Sequence, residues 1–236
     1  MNTLAIILAR AGSQGLPNKN GLILAGKPML QYTFDHALAS TSITHTILST
    51  DGPHLAQIAK HNNIPTILRP DDLATSTATV DAAARHALTE YEKQTSLTFG
   101  CIAILYGNVP VRPHDLTDRA INKLTETNCD SVQSVYPVEK NHPYWMKRVD
   151  DDSRLLMYQD NNIYRRQDLP PVYMLDGGVI ALTRQSLQTT SPDQPHAFLG
   201  SDRRAIITQP HDVVDIDTAI DLKIAEAILS DQRQSI

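Results

Sequence analysis

The 236 residues are 41% hydrophobic and 20% charged, and 21 Lys plus Arg against 26 Asp plus Glu leave a net charge of −5. That balance excludes a disordered or collagen-like chain. It also argues against bulk nucleic-acid binding, so a bound anion must be held by a local cluster of positive charge and backbone N–H groups.

Leu4 to Ala9 is a short apolar run that predicts a buried strand. Arg10 to Asn20, rich in Gly, Ser, Pro and Asn, reads as a loop. Met29 to Ala39 carries Leu30, Phe34, Ala37 and Leu38 at helical spacing. Thr46–Ser49 predicts a second strand, Pro53–His61 a helix opened by proline, and Thr66–Leu68 a short strand closed by Arg69-Pro70. Thr79–Tyr91 reads as an Ala-rich helix and Cys101–Tyr106 as a central strand leading into Gly107-Asn108-Val109-Pro110. Further on come a helix at His114–Glu126, strands at Ser131–Val135, Val179–Leu182 and Ala205–Thr208, and a last helix at Ala219–Leu229. Asn141–Pro171 is polar and irregular, with the only tryptophan, Trp145.

Strand, loop and helix in repetition predict an α/β fold with a mostly parallel central sheet flanked by helices. Ligands then collect at the carboxyl ends of the strands, so the loops after Ala9, Ser49 and Tyr106 should share one rim. One domain over residues 1–236 is expected, with an excursion at about 138–172. Cys101 and Cys129 lie in apolar surroundings and read as small core residues. The start, Met1-Asn2-Thr3, has no basic segment or small-residue cleavage site. No apolar run reaches the ~18 residues of a membrane span. A cytoplasmic protein without nucleic-acid or membrane partners is the expectation.

The first loop carries the strongest chemical signal. Gly12 and Gly15 allow backbone N–H groups to approach a phosphate, and Arg10 and Lys19 supply charge for a polyanion. It lacks the Gly-Lys-Ser/Thr ending of a P-loop. The alternative is an exposed basic loop. A second signal is Asp215-Ile216-Asp217, whose two carboxylates share a face if the segment is extended and can then hold Mg²⁺. Alternatively, Asp217 caps the last helix, and Asp221 offsets that helix's dipole. Arg165-Arg166 is a third cluster, suited to a carboxylate or phosphate, or simply solvated.

In order, these motifs resemble the acylneuraminate cytidylyltransferases, which make CMP-sialic acids and related CMP-sugars. Their Ala-Arg-x-Gly-Ser-x-Gly-Leu-Pro-x-Lys-Asn pattern is met from Ala9 to Asn20. Gly26-Lys27-Pro28, Ser49-Thr50-Asp51, Leu68-Arg69-Pro70 with Leu73-Ala74, Arg166 with Leu169-Pro170, and Asp215-Ile216-Asp217 with Asp221-Leu222 and Ala225-Glu226 follow. The resemblance covers nearly the whole chain. It implies a nucleotide-diphospho-sugar transferase-like fold, a dimerisation excursion and a homodimer. The implied reaction is transfer of CMP from CTP to the anomeric hydroxyl of an acidic, nonulosonic-type sugar, with Mg²⁺ as cofactor. By position, Arg10, Gly12, Ser13 and Lys19 would hold the triphosphate, and Asn20 and Arg69 the cytidine. Asp215 and Asp217 would bind metal, with Arg10, Lys19 and Asp217 at the reaction centre. Arg166 would meet the sugar acid from across the dimer, beside Tyr106 and Phe198.

The chain departs from the family after the central strand, where Tyr106 replaces a glutamine on the sugar side. Ser76 replaces an aspartate, Val80 a hydroxyl residue, Asp176-Gly177 an Asn-Gly, and Leu199 a second aromatic. Gly107-Asn108-Val109-Pro110 is similar to the Gly-Asp-x-Pro stretch of the Kdo cytidylyltransferases, without its aspartate. Cytidylyl transfer to Kdo or a phosphonate, and a non-catalytic nucleotide-binding homologue, are the alternatives.

Overall fold

A computed structural model describes residues 2–12 and 15–234, with side chains described as far as Asp231. Its elements are β1 (Thr3–Leu8), the hairpin β2 (Ile23–Leu24) and β3 (Lys27–Pro28), α1 (Met29–Ala39), β4 (His45–Thr50), α2 (Pro53–His61), β5 (Thr66–Leu68), α3 (Val80–Thr95) and β6 (Cys101–Tyr106). There follow α4 (Leu116–Thr127), β7 (Ser131–Pro137), the hairpin β8 (Lys147–Val149) and β9 (Leu155–Met157), β10 (Tyr173–Thr183), α5 (Arg184–Gln188), β11 (Arg203–Ile207) and α6 (Ala219–Gln234).

Seven strands form one sheet in the order β11-β7-β10-β6-β1-β4-β5. The pairs β1–β4, β1–β6, β4–β5 and β7–β11 are parallel, whereas β10 runs antiparallel to both β6 and β7. The sheet is mostly parallel, as expected. All six residues of β1 are buried, which a parallel strand covered on both faces requires. Its side chains alternate. Ala5 and Ile7 pack with Leu30, Phe34, Leu55, Ala120 and Leu124 from α1, α2 and α4. Leu4 and Ile6 pack with Ala84, Ala87, Leu88 and Leu187 from α3 and α5. Cys101 and Cys129 are free and buried, and burial pushes the Cys101 thiol up to about 11.

α1, α2, β5 and β6 have the expected bounds. α2 starts with Pro53 as its first helical residue, where the missing N–H has no partner to lose. Other elements differ from expectation for physical reasons. α3 runs four residues beyond Tyr91 and stops at Ser96, which takes a left-handed φ of 58°. β10 is far longer than Val179–Leu182, because a register shift between Leu175 and Ile180 absorbs the polar Asp176-Gly177-Gly178 stretch. The β2–β3 hairpin turns on Ala25 and Gly26, both at positive φ, as a two-residue turn needs. The irregular 141–171 stretch contains the β8–β9 hairpin.

The cap of α6 is a correction. Asp217 does not fill it. Thr218 precedes the helix, and its N–H donates to Asp221 Oδ2 at 2.7 Å while Asp221 N–H donates to Thr218 Oγ1 at 3.5 Å. This reciprocal capping box occupies Asp221 and leaves the Asp217 side chain for another role.

Candidate active site

Three strand ends meet on one rim, as predicted. Ala9 N–H donates to Ser49 O at 3.1 Å and Gly107 N–H to Leu8 O at 3.0 Å. On this rim lies a cleft of about 300 Å³ lined by Arg10, Lys19, Asn20, Arg69, Tyr106 and Asn108, among others. The first loop and the residue after β5 thus bring Arg10, Lys19 and Arg69 to one place, against the start of α3 and the loop after β6. Ser13 lies outside the described residues. Gly12 has open space where a Cβ would stand, whereas a Cβ on Gly15 would meet the Asp217 carbonyl oxygen at 2.6 Å. Gly15 is therefore required by the chain's own packing, and only Gly12 leaves room for a ligand.

Arg69 is anchored by donation to Ser49, from Nε to Oγ at 2.9 Å and from an Nη to the carbonyl oxygen at 3.0 Å. Burial lowers its pKa to about 10 against the pull of Asp51. Asn20, only 5% exposed, donates its amide to Arg10 O at 2.9 Å, while its Oδ1 has no partner. An unpaired buried acceptor costs free energy that an incoming donor recovers.

The two acidic residues of the last loop differ. Asp215 is half-buried, and burial together with the Asp217 charge pushes its carboxyl up to about 6, against Lys19 and Arg112. Asp217 is exposed and forms an ion pair with Lys19, Nζ to Oδ1 at 2.7 Å. Among the described residues no three His, Cys, Asp or Glu converge on one metal position. Magnesium needs no such cage, because it keeps waters and takes one or two carboxylates plus substrate phosphates. The mutually repelling Asp215 and Asp217 fit that donor set.

Sequence reasoning missed two residues that hold this arrangement. The Asn108 amide donates to the Asp215 carboxylate and to Ile216 O at 3.2 Å, and Ile216 N–H donates back to Asn108 O at 3.0 Å. Arg112 is half-buried. It donates to Gly178 O and Tyr106 O, each at 2.8 Å, to Thr33 Oγ1 at 3.0 Å, and to Val109 O. Burial lowers its pKa to about 9, with Asp215 and Asp176 opposing. Two polar residues set among Val109, Pro110, Val111 and Pro113 just past a strand end were the available signal.

Tyr106, Thr79 and Val80 line both the first cleft and a more apolar one of about 380 Å³, whose walls also include Ile180, Phe198, Leu199 and Arg203. Burial, then Asp215, raises the Tyr106 hydroxyl to about 12. A third cleft, of about 540 Å³, opens between residues 136–141, 174–176 and 209–213 and reaches Asp215. Arg166 stands outside the first cleft. It pairs with Glu139, which lines the third, at 2.7 Å, and Arg165 is taken up by Asp168 at 2.8 Å.

A family model described as cytidylyltransferase matches residues 4–186. The CMP-N,N'-diacetyllegionaminic acid synthase of Legionella pneumophila is 29% identical over 245 residues, with both chains covered in full. The N-acylneuraminate cytidylyltransferase of Escherichia coli O18:K1:H7 is 32% identical over 228 residues, covering 95% of this chain and 51% of that one, so the chain spans about half of that relative. A solved structure of CMP:2-keto-3-deoxy-manno-octonic acid synthetase complexed with CTP superposes with a TM-score of 0.72 at 18% identity, over 98% of this chain and 100% of the other. That likeness is one of fold.

Proposed function

The chain belongs to the cytidylyltransferase family, and on that premise we propose that it is a Mg²⁺-dependent CMP-sugar synthetase acting on a nonulosonic-type sugar acid. The carrying observation is the convergence of Arg10, Lys19, Asn20 and Arg69 on one cleft at the strand ends, with Asp215 and Asp217 at the neighbouring loop. The relatives' names, with legionaminic and N-acylneuraminic acid as acceptors, support the substrate class.

In this reading Arg10 and Lys19 hold the triphosphate, and Gly12 leaves its backbone open to it. Asn20 Oδ1 accepts from the cytosine amino group, which supplies the missing donor. The anomeric hydroxyl oxygen attacks the α-phosphorus, a new O–P bond forms, the bond to pyrophosphate breaks, and the hydroxyl proton is released to solvent. Such a reaction needs alignment and charge neutralisation, and no protein nucleophile. Bound Mg²⁺ would supply charge for the α-phosphate, with Asp215 and Asp217 as its protein ligands. Asn108 keeps Asp215 oriented for that task.

The acceptor's ring lies beyond Tyr106, toward Phe198. Arg166 serves the acceptor carboxylate across a homodimer, with the whole chain as one catalytic unit and residues 138–172 as its arm. Support for the dimer is apolar surface on that arm: Val149 is 65% exposed, Leu155 68% and Tyr164 93%. Among the described residues no helix is long and apolar enough to cross a membrane, in keeping with a cytoplasmic site of action.

Nucleotide binding tests the reading. CTP should bind in preference to UTP and ATP. Arg10→Ala and Lys19→Ala should each weaken CTP use by roughly 10- to 100-fold through loss of a charged contact. Asn20→Leu should erase the preference for CTP. Equal affinity for all three nucleotides in the unmodified protein would refute it.

A further inference from the structure

The Lys19–Asp217 ion pair joins the residue assigned to the triphosphate to one assigned to the metal. We infer that Asp217 makes the site selective for the cation-loaded nucleotide by competing with free triphosphate for Lys19. The inference rests on the functional reading above.

The two partners are unequally placed. The Lys19 side chain is 12% exposed and the Asp217 side chain 72% exposed, at an N–O distance of 2.7 Å. Lys19 therefore has little water to fall back on, whereas Asp217 faces solvent and an arriving cation can reach it. The backbone beneath them is in contact, because Gly15 packs against the Asp217 carbonyl with no room for a Cβ. Asp217 is also free of the helix-capping duty that Thr218 and Asp221 perform.

Consider each form of the nucleotide. A triphosphate without a cation must draw Lys19 from Asp217. That leaves Asp217 unpaired beside both Asp215 and the new polyanion, and like charges so close repel. A triphosphate carrying a divalent cation brings a replacement partner. Lys19 would then turn to the phosphates, the freed Asp217 carboxylate would be available to hold the cation, and every charge would keep a counter-charge. Asp217 thus penalises the wrong ligand form as well as binding the right one.

The test is calorimetric titration with CTP in EDTA and with CTP in MgCl₂, using the wild type, Asp217→Asn, Lys19→Gln and the double variant. Wild type should bind CTP more tightly in magnesium than in EDTA. Asp217→Asn should bind metal-free CTP at least about threefold more tightly than wild type, the scale expected when an exposed ion pair no longer competes. It should also lose most of the gain from magnesium. With Lys19→Gln as background, the same Asp217 change should raise metal-free affinity less, since only repulsion remains to be relieved. Asp217→Ser should give the same ordering as Asp217→Asn. Metal-free affinity unchanged or weaker in both Asp217 variants would overturn the inference, as would an equal gain with and without Lys19. In either case magnesium-loaded CTP binding by the wild type would leave the functional reading standing. A wild type that fails to bind CTP in magnesium would overturn both.

Discussion

Asn108 and Asp215 stand 107 positions apart in the chain, yet the side-chain amide of the first donates to the carboxylate of the second. The loop after the central strand is thereby tied to the loop before the last helix, and the tie ends on a carboxylate whose pKa is raised by burial.

The cost of that carboxylate is measurable. Asp215 has a pKa raised from 3.8 to about 6 by burial and by Asp217. The folded state therefore binds more protons than the unfolded state between those values, and stability falls as pH rises through that window. Asp215→Asn keeps an acceptor for Asn108 and removes the charge. It should stabilise the protein at pH 7.5 by on the order of 1–3 kcal/mol while reducing activity. Thermal melts should show the gain shrinking as pH falls below about 6 and vanishing near 4. A variant less stable than wild type at pH 7.5 would contradict this origin of the shift.

Arg112 should matter for stability more than its distance from the cleft suggests. It supplies donors to three buried carbonyls and to Thr33. Arg112→Met takes the guanidinium donor from Gly178 O and leaves Tyr106 O and Val109 O only the longer bonds from Thr33 Oγ1, at 3.2 and 3.3 Å, and should cost on the order of 3 kcal/mol. Arg112→Lys cannot reproduce the fork and should recover only part of the loss. Denaturant midpoints for the three proteins provide the comparison, and equal midpoints would show that the bonds are energetically idle.

The local parts of this site were legible in the sequence. Arg10, Lys19 and Asn20 fall in one Gly-rich loop, α2 announces itself by proline, and β1 and β6 are unbroken apolar runs. What was hidden depends on contacts between distant segments. Asn108 looks like a loop residue until Asp215 is beside it. The polar Asp176-Gly177-Gly178 stretch breaks the apolar pattern of β10, and the structure shows it as a bulge, with Gly177 at a φ of +74° facing Asp215 and Tyr106. Asp217 and Thr218 are both good capping residues by type, and only the bond from Asp221 N–H to Thr218 Oγ1 assigns the cap to Thr218.

Tyr106 lines both the Arg10–Lys19 cleft and the Phe198 cleft, together with Thr79 and Val80. Tyr106→Gln should open the passage and raise kcat/KM for N-acetylneuraminate several-fold, the scale of a shape change in a pocket. Its KM for CTP should change little. A parallel loss for every acceptor would place Tyr106 in the framework instead.

Val149 and Leu155 pair across the exposed β8–β9 hairpin. Val149→Glu with Leu155→Glu should shift the protein from dimer to monomer in light scattering and raise the acceptor KM, with the melting temperature of the main sheet nearly unchanged. A monomeric wild type would refute the role of the arm.

The central claim is cytidylyl transfer to an acid sugar. Its most direct test is pyrophosphate release by the unmodified protein with CTP, MgCl₂ and a panel of 2-keto-3-deoxy sugar acids. Release should require CTP, magnesium and an acidic sugar together, and should be fastest with a nonulosonic acid other than plain N-acetylneuraminate. Failure to release pyrophosphate with any sugar acid, or release equally fast from ATP, would contradict it.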